Sequence, residues 1–269
     1  MNTFKNSTLE IFKKRLRVKN YSERTILSYS SYVLQYVNKL KKESYSLTTK
    51  DLNDYLFNYK YTSISQQNQI INSLKLFYKY ILNKADIHLN KIERPRKEKH
   101  LPQIIDKELI IEKLAKIENI KHRAILTLCY SVGMRVSELI NLKICDIDSN
   151  RMLIKINNAK GKKDRIVPLS EKVLLLLRQY YKQYKPKEYL FNGQSELQYS
   201  IKSCQNIYKK YIDSDLSIHN LRHCCFTHLL ENKTDILIIQ KIAGHSNPKT
   251  TQIYAHISNN LLNQVQLPI

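Results

Sequence analysis

Along nearly all of this 269-residue chain the apolar residues recur every three or four positions, the spacing that places them on one face of an α-helix. In YTSISQQNQIINSLKLFYKYILNK the stripe is Ile70, Leu74, Phe77 and Ile81, and upstream Ser22 and Thr48 stand just ahead of acidic residues as N-cap signals. That period is interrupted twice. In KIERPRKEKHLPQ, residues 91 to 103, two prolines and a run of basic residues break it. Further on, MLIKI (152 to 156) and RIVPL (165 to 169) are short β-type runs flanking NNAKGKKD, which predicts a hairpin with a basic tip. The interruptions predict three parts: a helical domain over 1–91, a basic linker over 92–103 lying against phosphate, and a second domain with a C-terminal tail over 104–269. The fold class is mostly α with a small β-sheet, the sheet belonging to an α+β second domain.

Charge narrows the partner. There are 45 Lys plus Arg against 23 Asp plus Glu, a formal charge of +22, and both halves share the excess. Such a chain is expected to hold a polyanion, with DNA favoured and RNA or acidic lipid as the alternatives that charge alone leaves open. No run approaches the ~18 apolar residues of a membrane span, and MNTFKNSTLEIFKKRLRVKN lacks the continuous apolar core of a secretion signal. The expectation is a soluble, cytoplasmic protein without membrane contact. Cys129, Cys145, Cys204, Cys224 and Cys225 form an odd set without CxxC spacing, which argues for reduced, buried thiols and no bound metal.

Only four glycines occur, so their positions are informative. Gly133 stands two before Arg135, Gly161 directly follows Lys160, and Gly244 directly precedes His245; Gly193, in FNGQS, marks an ordinary turn. In SIHNLRHCCFTHLL, His219 and Arg222 are three apart and share a helix face, while Leu221, Cys225 and Leu229 supply apolar positions and His223 and His228 fall elsewhere. In GHSNPKTTQIYAH, Ser246 or Asn247 is placed to cap a short helix, with Pro248 in its first turn and Tyr254 riding on it. Tyr180 and Tyr181 sit on a polar-faced helix and need no role.

Taken together, RVSEL, AKGKKDR, HNLRH and GHSNPKTTQIYAH resemble the tyrosine recombinase (phage integrase) family, especially its simple Xer-like members. The resemblance implies a helical core-binding domain followed by an α+β catalytic domain. It assigns six catalytic positions: Arg135, the hairpin lysine Lys160, His219, Arg222, His245 and the nucleophile Tyr254. It further implies double-stranded DNA target sites and four protomers on two sites exchanging strands through a Holliday junction. A second recombinase or an accessory DNA-translocating protein is left open as a further partner, and no cofactor, ATP or metal is implied. A type IB topoisomerase-like relaxing enzyme and a catalytically silent DNA-binding relative are the alternative readings.

The chemistry suits these residue types. Negative charge accumulates on the nonbridging oxygens as a phosphodiester is attacked, and the planar, permanently charged fork of arginine can donate two hydrogen bonds to it. A tyrosine phenol has a pKa of about 10, so making phenolate at neutral pH costs roughly 4 kcal/mol without help from neighbours. His219 is the expected proton acceptor, or an aid to the phosphate; His245 is a third donor; Lys160 protonates the departing 5′-oxygen, with Lys162 and Lys163 as rivals. Glu138 is expected to support Arg135. Leu261, Leu262 and Val265 in the tail offer an apolar stripe for a neighbouring protomer or for their own domain.

Overall fold

A computed structural model describes residues 2–40, 47–83, 94–96, 102–159, 163–193, 198–245 and 247–257. Two compact units divide the chain, Met1–Lys99 and His100–Ile269. Among the described residues no helix is long and apolar enough to cross a membrane.

The first unit consists of α1 (Asn2–Val18), α2 (Glu23–Leu40), α3 (Thr49–Phe57) and α4 (Ile64–Tyr80). Local signals start these helices where the sequence places them. Ser22 Oγ accepts from the Thr25 amide at the head of α2, and Thr48 and Asp51 form a reciprocal capping box on α3. The stripe of α4 goes inward, with Ile70, Leu74 and Phe77 at most 1% exposed. They meet Phe12, Leu16, Ile26 and Val33, and Phe77 stands edge-on to Phe12 at 5.8 Å.

This core also buries tyrosines, which requires partners for their hydroxyls. The Tyr78 hydroxyl donates to the Thr48 carbonyl at 2.8 Å and lies 2.6 Å from the Tyr36 hydroxyl, so Tyr36 donates to Tyr78. α2, α4 and the start of α3 are thereby tied together. Tyr78→Phe is expected to leave the buried Tyr36 hydroxyl without its acceptor, while the Thr48 carbonyl keeps the Leu52 amide, and to cost about 1–3 kcal/mol, measured by urea unfolding. Tyr36→Phe, which removes only a donor, should cost less.

In the stretch expected to be a linker, Arg94 is held by the first unit itself. Its Nη1 and Nη2 donate to the side-chain carbonyls of Asn68 and Asn72 on α4, at 2.6 and 2.8 Å.

The second unit contains α5 (Lys107–Ala115), α6 (Ile120–Ser131), α7 (Val136–Asn141), three strands, α8 (Glu171–Tyr184), α9 (Ile201–Tyr211), α10 (His219–Glu231), α11 (Ile236–Ala243) and α12 (Pro248–Ile257). The strands β1 (Ile147–Asp148), β2 (Leu153–Ala159) and β3 (Lys163–Pro168) form one antiparallel sheet in the order β1-β2-β3. The expected hairpin is there, and longer than the β-type runs suggest. Pairing runs from Leu153 opposite Pro168 to Ala159 opposite Lys163, with an irregularity between Ile156 and Ala159, and β1 adds a third strand. Asn157, Asn158 and Ala159 extend β2 past the β-type run, with Ala159 paired to Lys163 and Asn157 Nδ2 donating to Asp146 Oδ1 at 2.6 Å.

At the centre of the unit, α10 is buried nearly all round, from Asn220 and Leu221 through Leu230. Cys129, Cys204, Cys224 and Cys225 are buried free thiols, and Cys145 is exposed. Tyr180 is a core residue: it is fully buried, stacked on Tyr184 at 5.1 Å and packed on Phe191, while Tyr181 is exposed. The polar stretch RQYYKQY hides this, because only one face of α8 turns inward.

Candidate active site

The end of α6 sets up the site. Gly133 takes a left-handed φ of 58°, and a Cβ there would lie 2.5 Å from the Phe226 ring, so glycine is required both for conformation and for space. Its carbonyl then faces α10, where Arg222 is 1% exposed. Arg222 Nη1 donates to Gly133 O at 2.5 Å, and Nη2 donates to Ala243 O at 2.6 Å and to His245 Nε2 at 3.0 Å. Its guanidinium lies over the Phe226 ring, 4.7 Å from the centroid. Three chain segments distant in sequence converge on one buried cation.

His245 follows Gly244, which ends α11 in the left-handed conformation at φ 63°. Because its Nε2 accepts from Arg222, its proton sits on Nδ1 and is donated to Thr251 Oγ1 at 3.0 Å on α12. Burial, then the charges of Arg222, Arg135 and Arg165, push its pKa down to about 4, so it is neutral at pH 7. In this arrangement neither nitrogen offers a spare N–H; to donate to a phosphate, His245 has to gain a proton on Nε2 or part from Arg222.

Tyr254 rides on α12 as the helix-start signals predict, and is 3% exposed. Its ring is parallel to that of His245 at 6.4 Å and packs on Phe226 at 5.4 Å. Burial raises its pKa; the charges of Arg222 and Arg135 act against that rise. His219 opens α10 with an exposed edge, and desolvation of its ring followed by the charges of His223, Arg222 and Arg135 brings its pKa to about 4. It is therefore unprotonated at neutral pH and able to accept a proton.

Arg135 precedes α7. Its backbone N–H donates to Glu138 Oε2 and its Nη1 to Glu138 Oε1, both at 2.8 Å. Glu138 is 6% exposed and has a second cationic partner, Arg165 of β3, whose Nη1 and Nη2 reach its two oxygens at 2.7 Å each. Burial on its own would raise the carboxyl pKa, but the hydrogen bonds and charge of Arg165, then those of Arg135, hold it at about 2 against a usual 4.5. Two guanidiniums on one carboxylate leave this group one positive charge in excess, and Arg135 and Glu138 line a cleft together with Lys143 and Asp146.

A depressed carboxylate pKa stabilises the fold above the unfolded value of 4.5, and that stability is lost as pH falls towards 2. Glu138→Gln should therefore destabilise this unit at pH 7 by on the order of 3 kcal/mol. The gap from the parent should narrow between pH 4.5 and 2, as read by urea unfolding at each pH.

Five of the six predicted residues, Arg135, His219, Arg222, His245 and Tyr254, are brought into one centre. Lys160 and its rival Lys162 lie outside the described residues, as do Ser246 and the tail from 258 onward. Three members of the centre carry no sequence signal of the expected kind. Phe226 forms its floor and Arg165 its rear. His223 does not fall elsewhere: its ring is 4.8 Å from that of His219 and 5.8 Å from that of Tyr254. His228 is a packing residue, hydrogen-bonded through Nδ1 to the Tyr130 hydroxyl at 2.7 Å.

Fold and site define a two-unit, mostly helical protein whose second unit encloses an arginine–histidine–tyrosine centre. Comparison with known proteins gives this class its place. Residues 97–260 match the phage integrase family, and residues 8–86 match the phage integrase N-terminal SAM-like domain. Tyrosine recombinase XerA of Pyrococcus horikoshii is 33% identical over 95% of this chain and 91% of its own length. Tyrosine recombinase XerC of Staphylococcus epidermidis is 33% identical over 96% and 95%. Among solved structures, XerH site-specific recombinase bound to palindromic difH substrate, in a post-cleavage complex, aligns with a TM-score of 0.74 at 21% identity, over 96% of this chain and 83% of that one. The chain belongs to the phage integrase family of tyrosine recombinases.

Proposed function

We propose that this protein is a site-specific DNA recombinase that cuts and rejoins strands through a 3′-phosphotyrosyl intermediate. The observation that carries the reading is the convergence of Tyr254, His245 and Arg135 on the buried Arg222.

In the proposed reaction the Tyr254 oxygen attacks the scissile phosphorus, forming a phosphotyrosyl ester as the bond to the 5′-oxygen breaks. His219, neutral and at the mouth of α10, takes the phenol proton. Arg135 and Arg222 neutralise the nonbridging oxygens. Arg135 is anchored to Glu138 through one Nη only, which leaves the rest of its fork for phosphate, and Arg222, beyond its contacts to Gly133, Ala243 and His245, is hydrogen-bonded to the Tyr254 side chain, which holds its charge beside the attacking oxygen. Lys160 protonates the leaving 5′-oxygen. The ester conserves the bond energy, so rejoining to a partner strand needs neither ATP nor a metal ion.

The first unit serves as the core-binding domain and residues 92–103 as the linker, so that both basic units grip duplex DNA in the cytoplasm. Two DNA sites would assemble four protomers, and the tail would supply contacts between them. DNA binding is expected to weaken with salt at a log–log slope of roughly −0.9 per phosphate neutralised.

The test is covalent capture. Nicked duplexes with randomised flanks are incubated with the protein, detergent-resistant complexes are selected, and both the DNA and the modified peptide are sequenced. A Tyr254 adduct on an enriched, palindrome-like sequence is the expected result. Tight DNA binding without any adduct would instead leave a DNA-binding relative.

A further inference from the structure

β3 departs from the rule that a strand buries its apolar residues. Its alternation turns Ile166 outward, 57% exposed, and carries Arg165 inward, 8% exposed. A cation buried that deeply must have its donors satisfied. Arg165 has a two-pronged pair with Glu138 through both Nη atoms at 2.7 Å, and its Nε donates to Ile242 O at 2.8 Å. It therefore ties three elements together: β3, two residues from the hairpin end at Lys163; α7, through Glu138; and the last turn of α11, just ahead of His245. The fit is close on the α11 side, where a Cβ on Gly244 would lie 2.9 Å from Arg165 Cδ.

These contacts turn the guanidinium away from the cleft, towards protein groups that themselves hold the reacting residues. Both carboxylate oxygens that fix Arg135 are fixed in turn by Arg165. We infer that Arg165 is a positioning residue for strand cleavage: it orients Arg135 through Glu138 and steadies the Ile242–Gly244 turn that presents His245. The inference rests on the cleavage chemistry proposed above. A core ion pair without this function would affect folding alone.

The experiment compares Arg165→Lys, which keeps a charge but loses the fork, with the parent protein in single-turnover adduct formation on the captured duplex. Thermal unfolding of each variant is recorded alongside. Folded Arg165→Lys is expected to be slower by about a hundredfold, the scale of a lost preorganised donor. Because Arg165 acts in part through Arg135, combining it with Arg135→Lys should slow the rate by clearly less than the product of the two single losses, the mark of two residues in one network. Combination with Lys160→Gln should multiply the two losses. A folded Arg165→Lys with the parent rate, or losses that multiply with Arg135→Lys, would overturn the inference.

If Arg165→Lys does not fold, Arg165→Met with Glu138→Leu removes the buried charge pair together. That variant is expected to fold without forming adduct, and a parent-like rate would count against the network. A DNA-free measurement separates this inference from the cleavage reading. In ¹⁵N NMR of the unbound protein, rotation of the Arg135 guanidinium should be restricted in the parent and released in Arg165→Lys. Should the parent form no adduct on any duplex, the cleavage reading fails; unchanged Arg135 rotation would then sink the positioning role as well.

Discussion

Tyr254→Phe is expected to abolish covalent capture while leaving the fold and DNA binding in place. The ring's contacts with Phe226 and His245 are made by carbon faces that phenylalanine reproduces, so packing survives the change. What disappears is the only atom proposed to attack phosphorus. Removing the nucleophile of a covalent catalyst lowers turnover by about 10⁶-fold in a well-studied protease, so adduct here should fall below detection. Urea unfolding should shift by no more than about 1 kcal/mol, the scale of one hydroxyl's hydrogen bond. Binding measured at fixed salt should be unchanged, since a residue 3% exposed contributes little phosphate contact of its own. A variant that still forms adduct would move the nucleophile elsewhere; its detection by peptide sequencing would say where.

Much of this architecture can be read from the residue pattern because it depends on local rules. The stripe of α4, the Ser22 and Thr48 caps, Pro248 at the head of α12 and the two glycines at positive φ are each explained within a few residues of themselves. Arg135, His219, Arg222, His245 and Tyr254 are legible for a different reason, since a composite of short motifs marks them without indicating how they meet. The limits of such reading fall on long-range burial. α10 is buried on nearly every side, so its sequence shows no clean apolar face, and His223 looks unremarkable until α12 folds across it. Tyr180 is hidden by its polar neighbours in the same way.

Arg165 is the instructive omission. In RIVPL the apolar Ile166 invites an inward placement, yet Arg165 is in phase with Val167 and Leu169, and those are the positions that face the core. The overriding cause is a partner 27 residues away, Glu138, whose carboxylate offers two oxygens to a guanidinium fork. The signal available in the sequence is thus weak but physical: a charged residue sharing the phase of a buried strand face calls for an opposite charge in the same core.

Arg222→Lys is the second large effect, and it combines stability with chemistry. One guanidinium now serves Gly133 O, Ala243 O and His245 Nε2 in a space 1% exposed to solvent. A lysine ammonium cannot span these acceptors in the same plane, and leaving a buried acceptor unpaired costs about 1–3 kcal/mol. Two orphaned acceptors therefore predict destabilisation of the catalytic unit by roughly 2–6 kcal/mol. The rate effect is separate. Loss of one preorganised donor to the reacting phosphate costs roughly 2.7–4 kcal/mol, so cleavage by the molecules that remain folded should slow by about a hundred- to a thousandfold. Burial and the neighbouring Arg135 already bring the Arg222 pKa down to about 10, so the parent side chain keeps its charge through neutral pH. The measurement is adduct formation at low temperature, normalised to the folded fraction from urea unfolding at the same temperature. If the normalised rate matches the parent, Arg222 is an architectural cation that organises the Gly133 turn and His245, and neutralisation of the phosphate falls to Arg135 alone.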